Sequence, residues 1–141
     1  MLNWFVEMRI HPIVVHFPIA MLTLAWVAIV AVHAGWGDTS KWKAYIGPLE
    51  WFGVIALAPT VLSGFRDAGW MELFETASFS QPLIWHVLLG LLTALLFTVH
   101  AFWRRNRDVA GKAVQLDVGL ASAGFWALVV TGLLAGEVVY G

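Results

Sequence analysis

The feature that most constrains this chain is an uncharged apolar run from residue 82 to residue 103, PLIWHVLLGLLTALLFTVHAFW. A helix of about 20 residues crosses the hydrocarbon core of a bilayer, so the run is long enough to be a membrane span. It contains two histidines, His86 and His100. Because an ionisable side chain inside a membrane span is costly and commonly functional, these two residues are the first candidates for a site.

His86 and His100 are predicted to lie on one face of this helix. Their fourteen-residue separation leaves them within about 40° of each other and roughly 21 Å apart along the axis. The same stripe carries Gly90, Thr93 and Phe97, at the spacing by which a helix packs into a left-handed bundle. We therefore expect both imidazoles to face neighbouring helices and not lipid.

Composition places the whole chain in the membrane. Of its 141 residues, 60% are hydrophobic and only 12% are charged, which is too apolar for a water-soluble domain of this size. The net charge of −1 argues against a nucleic-acid partner, which would need a clustered basic surface. The absence of cysteine excludes disulfides, thiolate catalysis, cysteine-ligated iron–sulfur clusters and covalently attached c-type haem. A metal or haem would have to use His, Met, Tyr or carboxylate ligands.

The hydropathy pattern predicts one all-α domain, a four-helix transmembrane bundle with up-down-up-down topology. The expected spans are about 12–34, 47–65, 82–103 and 116–139. Pro18 removes a helical hydrogen bond, so a kink is expected just after His16. Gly132 and Gly136 form a GxxxG pattern in the last span, which lets a neighbouring backbone or a flat ligand approach closely.

The basic residues predict how the bundle is oriented. Six lie in the connections between spans 1 and 2 and between spans 3 and 4, against two on the other side: Lys41, Lys43, Arg104, Arg105, Arg107 and Lys112, against Arg9 and Arg66. Basic loops stay in the cytoplasm, so both termini are expected on the periplasmic side of a bacterial inner membrane, in which the protein is multi-pass.

Alternating helix directions bring polar residues from all four spans to the periplasmic end. They are His11, His16, Arg66, Asp67, His86 and Glu137. The opposite end has His33 and His100, which again come from spans 1 and 3. Because these two spans run parallel, His16 is expected at the depth of His86, and His33 at the depth of His100.

Two histidines on different helices near one membrane surface are typical ligands of a six-coordinate b-type haem. His16 with His86 would hold one haem, and His33 with His100 would hold a second. On an ideal helix His16 and His33 lie about 100° apart, so only a kink could bring both to one face. Three glycines would allow the close approach of a flat macrocycle: Gly90, Gly132 and Gly136.

Simpler interpretations of the same residues stay open. His11 can be a helix-mouth residue bonded to backbone, and His33 an interfacial residue. Asp67 and Glu137 can be structural caps or ion partners. The periplasmic cluster of His11, His16, Asp67, His86 and Glu137 can also form a quinone site or a non-haem site for Zn, Cu or Fe. A cofactor-free accessory bundle that stabilises a larger assembly is a further alternative.

Several motifs resemble the bacterial membrane proteins of domain of unknown function 2231. They are HPIVVHFPIA at 11–20, LSGFRDAGW at 62–70, His86, and LLAGEVVYG at 133–141. The resemblance implies a four-helix membrane protein whose layout is similar to that of small haem-b membrane cytochromes. It places His11, His16, Asp67, His86 and Glu137 at the family's motif positions. His33 and His100 lie outside those motifs.

Taken together, these features predict a membrane-embedded b-type haem electron-transfer subunit with one haem, or two. It would pass electrons between a partner outside the cytoplasm and the quinone pool or a second haem protein. Because the chain has no soluble catalytic domain, we expect it to work in lipid with other membrane or periplasmic redox subunits, and not as a stand-alone enzyme.

Overall fold

Five helices make up the part of the chain that the computed structural model describes, which is residues 10–68, 82–105, 107 and 109–140. They are α1 (His11–Val14), α2 (His16–Ala34), α3 (Thr39–Ala68), α4 (Pro82–Arg104) and α5 (Ala113–Tyr140). No strand occurs in these ranges. The prediction of an all-α fold is confirmed. Arg9, which the orientation argument counts, lies outside the described residues.

Four stretches are long and apolar enough to cross a membrane: His11–Ala34, Thr39–Asp67, Pro82–Arg104 and Ala113–Glu137. The second begins earlier than the predicted residue 47, and Pro48 lies inside its helix. The helix starts here because Asp38 acts as an N-cap, its carboxylate accepting from the backbone N–H of Ser40 at 3.1 Å. The Ser40 hydroxyl donates to the same carboxylate and lowers the pKa of Asp38, which keeps this cap ionised.

The first span is broken at Val15, between α1 and α2. Pro18 has no N–H, so the carbonyl of Val14 loses the helical hydrogen bond that residue 18 would have made. The helix resumes with Ile19 donating to Val15 at 3.2 Å. The interruption lies immediately before His16, and the backbone of Val15 keeps helical dihedral angles (φ −64°, ψ −26°). The kink expected just after His16 therefore stays a prediction.

The helices pack as two antiparallel pairs, α2 with α3 and α4 with α5. Glycine makes each close approach possible. A Cβ added at Gly53 would come within 2.5 Å of Leu22, and one added at Gly124 within 2.9 Å of Phe97. The side chains of Leu22 and Phe97 are fully buried. In each helix pair, a large side chain of one helix therefore packs directly against a glycine of the other.

Aromatic contacts close the two pairs into a four-helix bundle. Between α2 and α5, Trp26 stacks on Phe125 at 4.0 Å between ring centroids and donates to the Ser122 hydroxyl at 3.0 Å. Between α3 and α4, Trp51 meets Phe102 edge to face at 5.0 Å. The up-down-up-down arrangement is confirmed, whereas the membrane side of the termini stays a prediction.

The core is not evenly distributed along the bundle. We call the end that carries the α2–α3 and α4–α5 connections the inner end, and the end that carries His11 and His86 the outer end. In the described part of the chain, buried positions on α4 begin only at Thr93 and those on α5 stop at Ala127. None lies in α1. Thr93, Phe97 and His100 are buried, which confirms the predicted inward stripe of α4.

Candidate functional site

At the outer end, His11 is held against the end of α3 by three polar contacts. Its Nδ1 lies 3.0 Å from the carbonyl oxygen of Thr60 and 3.2 Å from the Ser63 hydroxyl. Its backbone N–H, at the start of α1, donates to Asp67 Oδ2 at 2.8 Å. A Cβ at Gly64 would lie 3.1 Å from the His11 ring, a tight contact that would require the ring to shift by a few tenths of an ångström, so glycine favours this position of the imidazole on α3. Both the backbone and the side chain of His11 are therefore fixed.

His86 is held in a similar way on the other helix pair. Its Nδ1 lies 2.9 Å from the carbonyl oxygen of Thr131 on α5. A carbonyl only accepts, so Nδ1 of His86, like Nδ1 of His11, carries the ring proton and Nε2 keeps its lone pair in the neutral ring. Within the described residues, neither Nε2 makes a hydrogen bond. Each histidine thus presents a free ligand nitrogen.

The rings of His11 and His86 lie across the gap between the two helix pairs, with centroids 6.1 Å apart and planes at 89°. Metal–nitrogen bonds of about 2.0–2.1 Å, with roughly 1.2 Å more from each nitrogen to its ring centre, place two imidazoles on opposite sides of one ion roughly 6.4 Å apart. The observed spacing is close to this value. The distance between the ring centroids is therefore compatible with two imidazoles that share one metal centre.

Two other residues predicted for this end lie elsewhere. His16 is exposed, and its Nδ1 donates to the carbonyl of Pro12 at 2.5 Å. Glu137 is also exposed. In the described ranges no hydrogen bond or ring contact joins either of them to His86, whose facing ring belongs to His11. The ligand pair His16–His86 stays a prediction.

The three glycines predicted to receive a flat ligand differ in their surroundings. A Cβ at Gly90 would lie 3.7 Å from Thr131, an ordinary contact that keeps α4 close to α5 beside His86. A Cβ at Gly132 or Gly136 would have no heavy atom within 4 Å. These two positions face open space, so within the described part of the chain the GxxxG pattern is not used for close packing.

At the inner end, side chains from all four spans form one buried network. The carboxylate of Asp117 accepts from three donors: Nε2 of His33 at 2.8 Å, Nε2 of His100 at 3.1 Å, and the Arg104 guanidinium. Nδ1 of His100 contacts the carboxylate of Glu50. Asp117 and His100 are fully buried and Glu50 is 1% exposed. We call these five residues the inner network.

His33 and His100 lie at the end that the sequence predicts for them, whereas Glu50, Arg104 and Asp117 were not predicted as site residues. Arg104 was counted only as a charge that orients the bundle, and Glu50 was not weighed as a partner. The sequence does contain a feature that could have indicated the network, because an acidic residue inside a membrane span is expected to have a charged or hydrogen-bonding partner. Glu50 and Asp117 lie inside two of the spans.

The inner network does not fit the second haem that was predicted for His33 and His100. An axial ligand needs a free ring nitrogen, and both nitrogens of His100 face carboxylates. Nε2 of His33 is bonded to Asp117 as well. Among the described residues, no group of three or more His, Asp or Glu side chains is arranged to hold a metal ion. We therefore leave the inner end out of the haem proposal.

Comparison with known proteins agrees with the resemblance noted from the motifs. A family model described as a predicted membrane protein (DUF2231) matches residues 7–141. No curated protein and no solved structure matches the chain. The matched range includes the outer histidines and the whole inner network.

Proposed function

The chain belongs to the DUF2231 family of predicted membrane proteins, and from the outer site we propose that it binds one haem b between His11 and His86 and transfers electrons within the membrane. The observation that carries the proposal is the pair of free Nε2 atoms on rings whose centroids are 6.1 Å apart. The proposal keeps the predicted haem and His86 but exchanges His16 for His11.

The hydrogen bonds of the two histidines support ligation. Metal-bound histidines usually donate their second ring N–H to a carboxylate, a backbone carbonyl or water, which fixes the tautomer and the ring orientation. His11 does so to Thr60 and His86 to Thr131. These two carbonyls belong to different helix pairs, so the rings are held in place independently of each other.

The packing of the outer end supports a bound group as well. In the described residues the buried core ends at Thr60 on α3, at Thr93 on α4 and at Ala127 on α5. Ligand and cofactor sites in helix bundles are built between helices, from side chains on facing helices. On α2 the buried positions continue to Pro18, so the half-buried histidines lie beyond the last buried positions of the other three helices.

Haem b bound here would supply a one-electron redox centre. The chain's own contribution is to orient the two imidazoles and to fix the entry of α1 through Asp67. We propose that the bundle exchanges electrons with other membrane or periplasmic redox subunits. The inner membrane of a bacterium is the proposed location.

The proposal is tested by the visible spectrum of the purified full-length protein, oxidised and then reduced with dithionite. We expect a low-spin spectrum of two axial histidines and about one haem per chain. His11→Ala and His86→Ala should each lose the haem or convert it to a five-coordinate high-spin form. His16→Ala is the matched comparison, since it removes an exposed histidine from the same motif.

The outcomes separate the alternatives. If His16→Ala loses the haem and His11→Ala keeps it, the ligand pair is His16–His86. A colourless protein that contains a stoichiometric metal ion would indicate a non-haem Zn, Cu or Fe site. A colourless, metal-free protein that takes up no added haem would refute the proposal and favour a quinone site or a cofactor-free accessory bundle.

A further inference from the structure

We infer that the inner network is a proton-binding site, in which one proton is shared by Glu50 and His100 and exchanges with water through Asp117 and His33. The inference is independent of the haem proposal because it uses neither His11 nor His86. It rests on the number of protons that the hydrogen bonds require and on which members of the network reach the surface.

The hydrogen bonds of His100 require an extra proton. A neutral imidazole between two ionised carboxylates has one proton too few to form both bonds. A neutral imidazole has a single N–H, whereas both ring nitrogens of His100 face carboxylate oxygens, of Glu50 at Nδ1 and of Asp117 at Nε2. An ionised carboxylate can only accept. Either His100 carries protons on both nitrogens, or one of the carboxyl groups is protonated.

The extra proton belongs to the Glu50 side of the network. Asp117 accepts from His33, His100 and Arg104 at once, which only an ionised carboxylate does well. Its charge is balanced by Arg104, whose guanidinium always stays protonated. The remaining proton is shared by His100 and Glu50, whose side chains are in direct contact.

Burial favours keeping this proton. With it, Glu50 and His100 are neutral as a pair, and the network as a whole carries no net charge. Without it, the network carries a charge of −1 among side chains that are almost completely buried, which is costly in a membrane interior. Loss of the proton therefore has to be accompanied by another change of charge nearby or by entry of water.

Exposure identifies the route by which the proton exchanges. The side chains of Asp117 and His100 are 0% exposed and that of Glu50 is 2% exposed, whereas His33 is 15% and Arg104 16% exposed. Arginine does not release its proton, so His33 is the entry. A proton taken up at Nδ1 of His33 releases the Nε2 proton to Asp117, and Asp117 passes a proton to Nε2 of His100. His33 is left as its Nδ1–H tautomer and returns to the Nε2–H tautomer by proton exchange with water, which restores its hydrogen bond to Asp117. The charge of the network then changes from −1 to zero.

The proton count is tested in the full-length chain in lipid nanodiscs at neutral pH, by nitrogen NMR of labelled histidine and by the infrared band of a protonated carboxyl group. We expect either two protonated nitrogens on His100 or a protonated Glu50. In Glu50→Gln the shared proton should be lost, leaving one N–H on His100 and no carboxyl band. Asp38→Asn, which removes an exposed carboxylate, should change neither signal.

A wild-type protein with a single N–H on His100 and an ionised Glu50 would overturn the inference. So would a Glu50→Gln variant that keeps both protons on His100. Glutamine has the size of Glu50 and keeps an oxygen that can accept a hydrogen bond, so the Glu50→Gln variant is expected to fold. The haem content of the same samples is read separately, so failure here is distinguishable from failure of the haem proposal.

The route is tested by hydrogen–deuterium exchange of the His100 ring N–H. His33→Gln keeps a donor for Asp117 but cannot carry a proton, and we expect it to slow the exchange roughly 10²-fold, the size of effect that a positioned proton-transfer group provides. His16→Gln, the same change at the outer end, should leave the exchange rate unaltered. Equal rates in wild-type protein and His33→Gln would rule out His33 as the entry.

Discussion

Nε2 of His33 lies 2.8 Å from Oδ2 of Asp117, which joins the last turn of α2 to the start of α5. The same carboxylate binds His100 and Arg104 of α4, so one side chain connects three helices at the inner end. No comparable ion pair joins His11 and His86 at the outer end within the described residues, where each histidine is bonded to a backbone carbonyl.

Replacing Asp117 by alanine should destabilise the bundle strongly. The change removes the carboxylate that binds Arg104, His33 and Nε2 of His100, and breaking one side of a buried ion pair costs about 3–5 kcal/mol. We expect a loss of this size in the free energy of unfolding, measured by denaturant titration in detergent micelles. Asp38→Ala is the control for an exposed carboxylate. Equal stability of the two variants would contradict the buried network.

Replacing Gly53 by alanine should also destabilise the protein, because the new methyl group would lie within 2.5 Å of the buried Leu22 side chain. Overpacking a core of this kind costs about 1–3 kcal/mol. Gly119→Ala is the matched control, since its Cβ would meet nothing within 4 Å. The free energies of unfolding of both variants check the prediction, and a Gly53→Ala protein as stable as Gly119→Ala would show that α2 and α3 are packed differently.

Replacing Asp67 by alanine should weaken haem retention without removing either histidine. The Asp67 carboxylate accepts the backbone N–H of His11 and so fixes the first residue of α1. Loss of such a supporting contact typically lowers affinity for a bound metal about 10–100-fold. Haem release to an apo-haemoprotein acceptor measures the effect. Asp67→Asn, which keeps an oxygen acceptor, should lie between wild type and alanine.

Both termini are expected in the periplasm because the basic residues are concentrated at the inner end. A reporter that is active only in the periplasm should give a signal when fused to the C-terminus, and one that folds only in the cytoplasm should not. Reversed signals would place the inner network on the periplasmic side.

Much of the fold could be predicted because hydropathy and helical spacing report directly on membrane spans. The stripe of Thr93, Phe97 and His100 is buried as its spacing indicates. The start of α3 was missed since Gly47 and Pro48 are typical of a helix start, whereas the actual cap is Asp38. A proline is a weak boundary signal in a membrane helix, where its freed carbonyl can find other partners.

The sites were harder to predict because they depend on how each helix is rotated about its axis. His11 and His16 belong to one motif but are five residues apart, which puts them about 140° apart on a helix, and it is His11 that faces His86. At the inner end, the depth of His33 and His100 was predicted correctly, but the two residues meet through Asp117 and not directly. Hydropathy shows that a charged residue is present in a span and does not show its partner.

The uneven packing has a consequence for the order of assembly. The inner network joins all four spans without using a single residue of the outer site. The helices can therefore insert, associate and acquire their final arrangement while the outer ends of the two pairs are still able to separate. If the proposed haem binds between His11 and His86, its entry and release would then not require the inner network to break.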